Sequence, residues 1–226
     1  MSTAWLTGAT GAWGGAFTQA LLEAGFDVLA LGRRDVPAFA ARAVELGRGW
    51  GFVQLDLSKP FSLAELQAAA PEPLRGVPDV FIHAAVSTEG DRAALVGADY
   101  LAPAALIDAV AQAMLERGSG RIGVLVPQNA RLGMAGLGDF SSAQAALWTW
   151  SEAERDVLSR MARGVTLTVV IPPRTASATQ RYVAAQSGRS ARLGPPDARG
   201  LLRAILAGRR RSGRRPILAA LAMLFR

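Results

Sequence analysis

Short apolar segments alternate with segments of helical pattern along almost the whole chain. Six apolar segments indicate strands, at 3–7, 27–31, 52–55, 79–85, 121–126 and 165–171. Helical patterns follow them at 16–24, 37–46, 62–70, 92–117, 140–163 and 197–207. Strands that are apolar on both faces and alternate with helices are typical of a parallel sheet covered by helices on both sides. The sequence therefore predicts an α/β fold, a doubly wound parallel sheet of six or seven strands in the order 3-2-1-4-5-6-7.

The seventh strand of this sheet would lie in the arginine run before Pro216, and both features disfavour a strand there. In a doubly wound sheet, ligands bind beyond the carboxyl ends of the strands, near the point where the strand order reverses. We therefore expect the loops that follow the six predicted strands to line one cleft.

The composition restricts the chemistry available to this chain. Half of its 226 residues are hydrophobic and 19% are charged, which suffices for one domain and argues against disorder. It has no cysteine and one histidine, His83, so disulfides, thiolate nucleophiles and Cys- or His-rich metal sites are excluded. It shows no secretory pattern and no apolar run of about 18 residues, so we expect a cytoplasmic chain. We expect one domain over 1–226, with an Arg-rich C-terminal tail at 208–226.

A glycine-rich loop, residues 7–14, joins the first strand to the first helix. Glycines let the backbone bend sharply and let a pyrophosphate approach the loop amides, and the helix N-terminus adds a partial positive charge. A second strand follows this helix at the distance expected of a dinucleotide-binding unit. These features predict a dinucleotide site that includes Gly8, Thr10, Gly11 and Gly14.

The loop sequence TGATGAWG resembles the TGxxGxxG motif of the short-chain dehydrogenase/reductase (SDR) family, and the likeness covers nearly the whole chain. The resemblance implies a Rossmann-type fold. Arg33 and Arg34 resemble the family's NADP-selecting arginines, because a guanidinium holds a 2′-phosphate whereas an acid would hold the 2′-hydroxyl of NAD. The resemblance therefore implies NADP(H) rather than NAD(H). It also implies further cofactor-binding residues: Asp56 and Leu57 at the adenine, Ala84 and Ala85 after the fourth strand, and Pro172 and Ser177 at the nicotinamide.

The positions of the family's proton relay are all altered in this chain. The family motif YxxxK supplies a tyrosine acid and a lysine that lowers its pKa, but the aligned stretch FSSAQAAL has Phe140 and Gln144 there. Pro127 takes the place of the helper serine, and Asp99 takes the place of an asparagine. Phenylalanine has no proton to donate, and proton transfer contributes about 10²–10⁴-fold to rate. We therefore expect that the chain is not a standard carbonyl reductase.

A few other side chains are candidates to replace the missing proton donor. Tyr100 neighbours Asp99, Tyr182 lies in the loop expected to cover a substrate, and His83 lies near the end of the fourth strand. For each of them a structural role is the competing hypothesis, and for His83 this is a strand-end histidine with satisfied hydrogen bonds. The remaining polar residues that flank the cleft are Ser141, Ser142, Gln128 and Asn129.

Basic charge is concentrated at the C-terminal end of the chain. Residues 189–226 contain ten arginines and one acid, whereas residues 1–188 carry a net charge of −2. Five arginines within 208–215 precede the apolar stretch 217–225, a pattern that suits an anionic membrane surface or a partner protein. The competing hypothesis is a final strand and a helix that cover the domain. No recognition motif accompanies the run, so nucleic acid is not expected as a partner.

The resemblance also implies a homodimer, because relatives pair the long helices that begin here near Arg92 and Phe140. Trp148 and Trp150 lie on the second of these helices and would supply large apolar area to the interface. The alternative for both tryptophans is packing against the chain's own sheet.

Three functions are compatible with these observations. The first is a catalytically degenerate SDR-type protein that still binds NADP(H) and serves as a partner, scaffold or redox sensor. The second is an active enzyme of altered mechanism in the same cleft, such as an atypical reductase, an isomerase, a dehydratase or a cyclase. The third is a membrane-peripheral subunit of a biosynthetic assembly, with a vestigial nucleotide site. Nucleotide binding separates the first two from the third, and turnover separates the first from the second.

Overall fold

The sheet at the centre of the molecule is parallel throughout the residues that the structure describes. The computed structural model describes residues 2–127, 130, 136–161, 164–176, 181–184 and 194–213. The strands are β1 Thr3–Thr7, β2 Asp27–Gly32, β3 Trp50–Gln54, β4 Val80–His83, β5 Gly120–Leu125, β6 Val165–Ile171 and β7 Arg211–Gly213. Their order is β3-β2-β1-β4-β5-β6-β7, which confirms the predicted doubly wound α/β fold and strand order. All carboxyl ends therefore meet at one edge.

Helices cover both faces of this sheet. They are α1 Ala12–Glu23, α2 Pro37–Glu45, α3 Leu63–Ala69, α4 Arg92–Val96, α5 Ala102–Arg117, α6 Gly138–Met161, α7, of which residues 181–184 are described, and α8 Arg199–Leu206. A capping box begins α3, since the Ser62 hydroxyl accepts the Glu65 amide at 3.2 Å and the Glu65 carboxylate accepts the Ser62 amide at 2.9 Å.

The pleat of the strands gives the sheet two apolar faces. On one face, Trp5 and Phe81 pack with buried residues of α5 and α6. On the other, Leu6 and Ile82 pack with buried residues of α1 and α8. The core therefore consists of two layers, one on each side of the sheet.

The predicted helix 92–117 is interrupted in the structure by a π-helical turn, Gly97–Leu101, between α4 and α5. Such turns occur frequently at functional sites, and this one carries the buried Asp99. The whole stretch is long and apolar enough to cross a membrane by length and composition alone. Its residues Leu106 and Ile107 are fully buried against the sheet, as in the core helix of a soluble protein.

Helix α1 begins at Ala12, four residues before the predicted start. Gly14 and Gly15 lie in its first turn, and glycine lowers intrinsic helix propensity by about 1 kcal/mol relative to alanine. Helix formation at this point depends on packing against the preceding loop rather than on propensity.

The seventh strand forms within the arginine run. Arg211 pairs with Val169 and Gly213 pairs with Ile171, so β7 extends the parallel sheet at its edge. The rest of the predicted tail, residues 214–226 with Pro216 and the apolar stretch, lies outside the described residues.

Candidate functional site

The glycine loop between β1 and α1 is shaped by two close approaches of its backbone. Gly8 has a φ of 80°, and a Cβ there would lie 2.6 Å from the Ala85 nitrogen. A Cβ on Gly14 would lie 1.9 Å from the Gly8 carbonyl oxygen. The Gly11 amide closes the turn by donating to that same oxygen at 2.9 Å. Only glycine fits at Gly8 and Gly14, and the loop rests against the backbone at Ala84 and Ala85, after β4.

A cavity of about 530 Å³ lies beside this loop. Helix α1 begins beside the cavity. Its N-cap residue is Gly11, so no side chain caps the helix, and its first turn carries no acidic residue. Its first amides are therefore available as donors to an anion, and the helix dipole favours negative charge there. Arg34, a basic residue, also lines the cavity. The full lining is Ala9, Thr10, Gly11, Ala12, Gly15, Arg34, Asp35, Val36 and Phe39.

The two predicted selectivity arginines lie in different surroundings. Both arginines are exposed, and Arg34 lines the cavity whereas Arg33 does not. The pKa of Asp56 is lowered mainly by hydrogen bonds from the Ser58 hydroxyl, at 2.7 Å, and the Ser58 amide, at 3.0 Å, with smaller contributions from nearby cations that include Arg33. Leu57 is partly buried against the core. Of the two arginines, Arg34 therefore lines the cavity beside the glycine loop.

Phe140 stands in an apolar cluster at the start of α6. Its side chain is 1% exposed and packs with Leu137 and Val183. The Tyr182 ring meets it edge-on, with ring centroids 5.9 Å apart and planes at 66°. Tyr182, a predicted substitute donor, is thus an aromatic packing partner of Phe140, and α7 covers the position that the family motif gives to the catalytic tyrosine.

Asp99 is a buried carboxylate beside a neutral carboxamide. It is 1% exposed, Oδ1 accepts the Ser87 amide at 2.6 Å, and Oδ2 has no hydrogen-bond partner. Burial raises the pKa of Asp99 to about 6, against the opposing effects of the Ser87 bond and the Gln144 carboxamide. Gln144 is also 1% exposed, and neither its Nε2 nor its Oε1 has a partner in hydrogen-bond geometry. The place of the family's lysine therefore holds no charge, although an acid lies next to it.

His83 is buried and neutral at the end of β4. Its Nδ1 lies 2.9 Å from the Thr7 hydroxyl, which itself accepts the Ala84 and Ala85 amides. The other ring nitrogen, Nε2, is buried without a partner. Burial lowers the pKa of His83 to about 4. One ring nitrogen is satisfied, as the structural hypothesis expected, and the other is not.

The loops after β5 and β6 complete this edge of the sheet. Pro127 is half-buried after β5, and Pro172 is buried after β6. Thr175 is 5% exposed and its hydroxyl has no partner, although the sequence analysis did not single it out. The one feature of the sequence that could have identified Thr175 is a hydroxyl-bearing residue three positions after Pro172. Three predicted residues lie outside the described part of the chain: Gln128, Asn129 and Ser177.

Several of the aromatic and hydroxyl-bearing candidates are buried or packed against the core. Tyr100 is partly buried against the core. Trp148 is 3% exposed within the chain's own core, which corrects the expectation that it supplies interface area, and Trp150 packs against the same core. Ser141 is buried with an unpartnered hydroxyl, whereas Ser142 is exposed. Within the described ranges, no three His, Asp or Glu side chains come together where a metal ion could bind.

The sheet order, the glycine loop and the cavity beside it define a doubly wound α/β protein of Rossmann type. A family model described as short chain dehydrogenase matches residues 2–188. The chain belongs to that family. No curated protein matches it in sequence.

Solved structures of this family share the fold at low sequence identity. An actinorhodin polyketide ketoreductase variant with NADPH has a TM-score of 0.78 at 19% identity, covering 93% of this chain and 94% of that one. A short-chain dehydrogenase from Streptomyces avermitilis has a TM-score of 0.76 at 22% identity, covering 95% and 89%. One from Sphingobium yanoikuyae in complex with NADPH has a TM-score of 0.78 at 20% identity, covering 93% and 86%. These likenesses show the fold.

Proposed function

We propose that this chain is an NADP(H)-binding protein of oxidoreductase ancestry that does not perform standard carbonyl reduction. The observation that carries the proposal is the environment of Phe140, an apolar ring enclosed by apolar neighbours where the family motif has its acid. A carbonyl acceptor must gain a proton as well as a hydride, and this position has no proton to give.

The residues of the glycine loop fit a nicotinamide dinucleotide. Gly8 and Gly14 close the loop tightly, the start of α1 offers backbone donors, and Arg34 adds a cation at the cavity. These groups suit a pyrophosphate and a 2′-phosphate. When bound, NADP(H) would supply a hydride at the nicotinamide C4. Two of the structural neighbours are described with NADPH, which supports the same cofactor here.

The other relay positions are equally unsuited to acid catalysis. Gln144 can hydrogen-bond to a hydroxyl group, but it lacks the charge that would make a nearby phenol acidic. Pro127 has no hydroxyl with which to orient a carbonyl. His83 is neutral and its Nδ1 is engaged by Thr7, so it is not a ready proton source at neutral pH.

Calorimetric titration tests the cofactor assignment. We expect NADPH to bind more tightly than NADH, and Arg34→Asp to abolish that preference, because the guanidinium that holds the 2′-phosphate is lost. Arg33→Asp measures how much the second arginine contributes to the preference for NADPH. Arg203→Asp removes an exposed arginine of α8 that does not line the cavity and serves as the control. Equal affinity of the unmodified protein for both cofactors would contradict the role of the arginines.

NADPH oxidation over a panel of simple ketones and aldehydes tests the catalytic half of the proposal. We expect no turnover above the protein-free background. Robust reduction of any of these carbonyls would refute the proposal, and Tyr100, Tyr182 and His83 would be the first residues to substitute in the search for the donor.

A further inference from the structure

Exposed arginines gather beside β7, the strand at one edge of the sheet. Helix α8 packs on β5, β6 and β7, and the residues that it buries are all apolar. Arg199 and Arg203 are exposed and lie one helical turn apart on this helix. Arg209 and Arg210, also exposed, follow in the link between α8 and β7. Helix α8 and this link therefore present four cations to the solvent.

Acidic residues compensate only part of this charge. One acid of α1 and one of α6 pair with Arg199 and Arg210. None of the ion pairs among the described residues includes Arg203 or Arg209. Residues 198–226 contain eight arginines and no acid. A positive charge therefore remains here to attract an anionic partner.

Strand β7 determines where the rest of the basic run begins. It is parallel to β6, and its last residue, Gly213, pairs with Ile171, the last residue of β6. The chain therefore leaves β7 at the carboxyl edge of the sheet. The sequence continues with two arginines, a proline and nine consecutive apolar residues, 217–225. The basic residues are thus joined to an apolar stretch with no acidic residue between them.

This combination of charge and apolar sequence favours a lipid surface over other anionic partners. Basic residues at an edge strand discourage unwanted strand pairing, but that role requires no apolar stretch. Nucleic acid attracts the same arginines through its phosphates and makes no use of nine consecutive apolar side chains. An anionic bilayer uses both features, because its headgroups attract guanidinium groups and its interface takes up apolar side chains. Nine residues are about half the number that a membrane-spanning helix needs.

We infer that residues 199–226 form a binding surface for an anionic membrane. The arginines contact the lipid phosphates, and the apolar side chains of 217–225 enter the interface without crossing the bilayer. Reversible membrane binding becomes stable when two such signals act together, since either one alone is weak. This inference goes beyond the proposed function and does not depend on NADP(H) binding.

Co-sedimentation of the full chain with lipid vesicles tests the basic half of this surface. We expect binding to vesicles of equal parts phosphatidylcholine and phosphatidylglycerol, weaker binding as salt is added, and no binding to phosphatidylcholine alone. Arg203→Gln should weaken binding about fivefold, the effect of one arginine near an anionic bilayer, and Arg203→Lys should restore it. Arg75→Gln removes an exposed arginine that precedes β4 and should leave binding unchanged.

Leu221→Glu tests the apolar half. It should weaken binding to the anionic vesicles about tenfold or more, because a charge replaces a side chain that enters the interface. Without lipid, urea denaturation should give the stability of the parent protein. A less stable Leu221→Glu variant would mean that 217–225 covers the chain's own domain, and would overturn the inference.

Four other results would also overturn it. These are equal binding to both kinds of vesicle, binding to neither, tighter binding to duplex DNA than to the anionic vesicles, and vesicle binding that Arg203→Gln leaves unchanged. Failure to bind NADPH would instead contradict the proposed function alone.

Discussion

At the scale of single residues, the site owes its character to buried titratable groups whose pKa values are shifted by burial. Asp99 and His83 are both about 1% exposed, and burial moves their pKa values toward the neutral form, upward for the acid and downward for the base. Each therefore couples folding to pH, with opposite sign. The physical cause is the same in both cases: the low-dielectric interior disfavours the charged form.

Asp99→Asn should change the pH dependence of stability in a defined direction. The pKa of Asp99 is about 6 in the fold and near 3.8 when unfolded, so the folded state holds more protons between these values and stability falls as pH rises through that window. Asp99→Asn has no titrating carboxyl at this position and therefore lacks this loss of stability. Its free energy of unfolding, relative to the parent, should rise by about 2 kcal/mol between pH 4 and pH 7, at about 1.4 kcal/mol per pH unit where the parent's folded and unfolded states differ by a full proton.

Urea denaturation of the parent and the variant at several pH values measures this difference. Because His83 is present in both proteins, its opposite contribution cancels in the comparison. Glu116→Gln removes an exposed carboxylate of α5 and provides the control. A difference between parent and Asp99→Asn that does not vary from pH 4 to pH 7 would show that Asp99 titrates as an ordinary carboxyl.

Restoring the family's catalytic residues should require several changes at once. Phe140→Tyr places a hydroxyl among apolar side chains, should cost about 1–3 kcal/mol of stability, and should give no carbonyl reduction, since an unassisted phenol has a pKa near 10. Phe140→Tyr with Gln144→Lys and Pro127→Ser should give weak activity on a generic ketone, measured as NADPH oxidation. Activity from Phe140→Tyr alone would mean that another group already lowers the phenol's pKa.

At the scale of elements, two short irregular segments position the site. The glycine loop holds the start of α1 against the end of β1, and the π-turn holds Asp99 against α6. Both segments depart from regular geometry at the carboxyl edge of the sheet, where the strand order reverses between β1 and β4. The regular elements provide rigidity, and these two segments decide which groups face the cleft.

Gly14→Ala should disrupt the glycine loop. The added Cβ would lie 1.9 Å from the Gly8 carbonyl oxygen, which is backbone and cannot rotate away. We expect a loss of about 1–3 kcal/mol in stability, the range for overpacking, together with lost NADPH affinity. Gly200→Ala is the matched control, because it also lies in the first turn of a helix but its Cβ meets nothing within 4 Å. A similar outcome for both variants would refute the packing argument.

At the scale of the whole molecule, three large apolar side chains of the π-turn and α6 are left exposed. Val157 and Met161 of α6 are 41% and 65% exposed, and Leu101, just before α5, is 57% exposed. Since Trp148 belongs to the chain's own core, the expected homodimer would bury Val157 and Met161 of α6 rather than Trp148.

Val157→Glu should shift a dimer toward monomer, because it places a charge in the proposed interface. Val44→Glu, the same change on α2 at a side chain that is 78% exposed, should leave the dimer intact. Light scattering at micromolar protein concentration distinguishes the two states. A monomeric parent protein, or a Val157→Glu variant that remains dimeric, would exclude this interface.

The doubly wound α/β fold and the glycine loop could be predicted from the sequence alone, because the alternation of strands with helices and the spacing of the glycines are local patterns. Apolar segments that alternate with helices leave few sheet topologies, and glycines at fixed spacing mark a turn that only glycine can form. The absence of an acid at Phe140 was also evident from residue identity. By contrast, the π-turn at 97–101 was not predicted, since regular helical spacing continues through it.

Tertiary structure decided everything that depends on what surrounds a side chain. It separated Arg34, at the cavity, from Arg33, which is its neighbour in sequence. It buried Trp148 in the core and, among the described residues, paired the Asp99 carboxylate with no cation, because the orientation of a helix about its axis is set by packing across the sheet. Burial and neighbouring charge are properties of residues distant in sequence, so the chemistry of Asp99 and Gln144 emerged only when the π-turn and α6 were brought together.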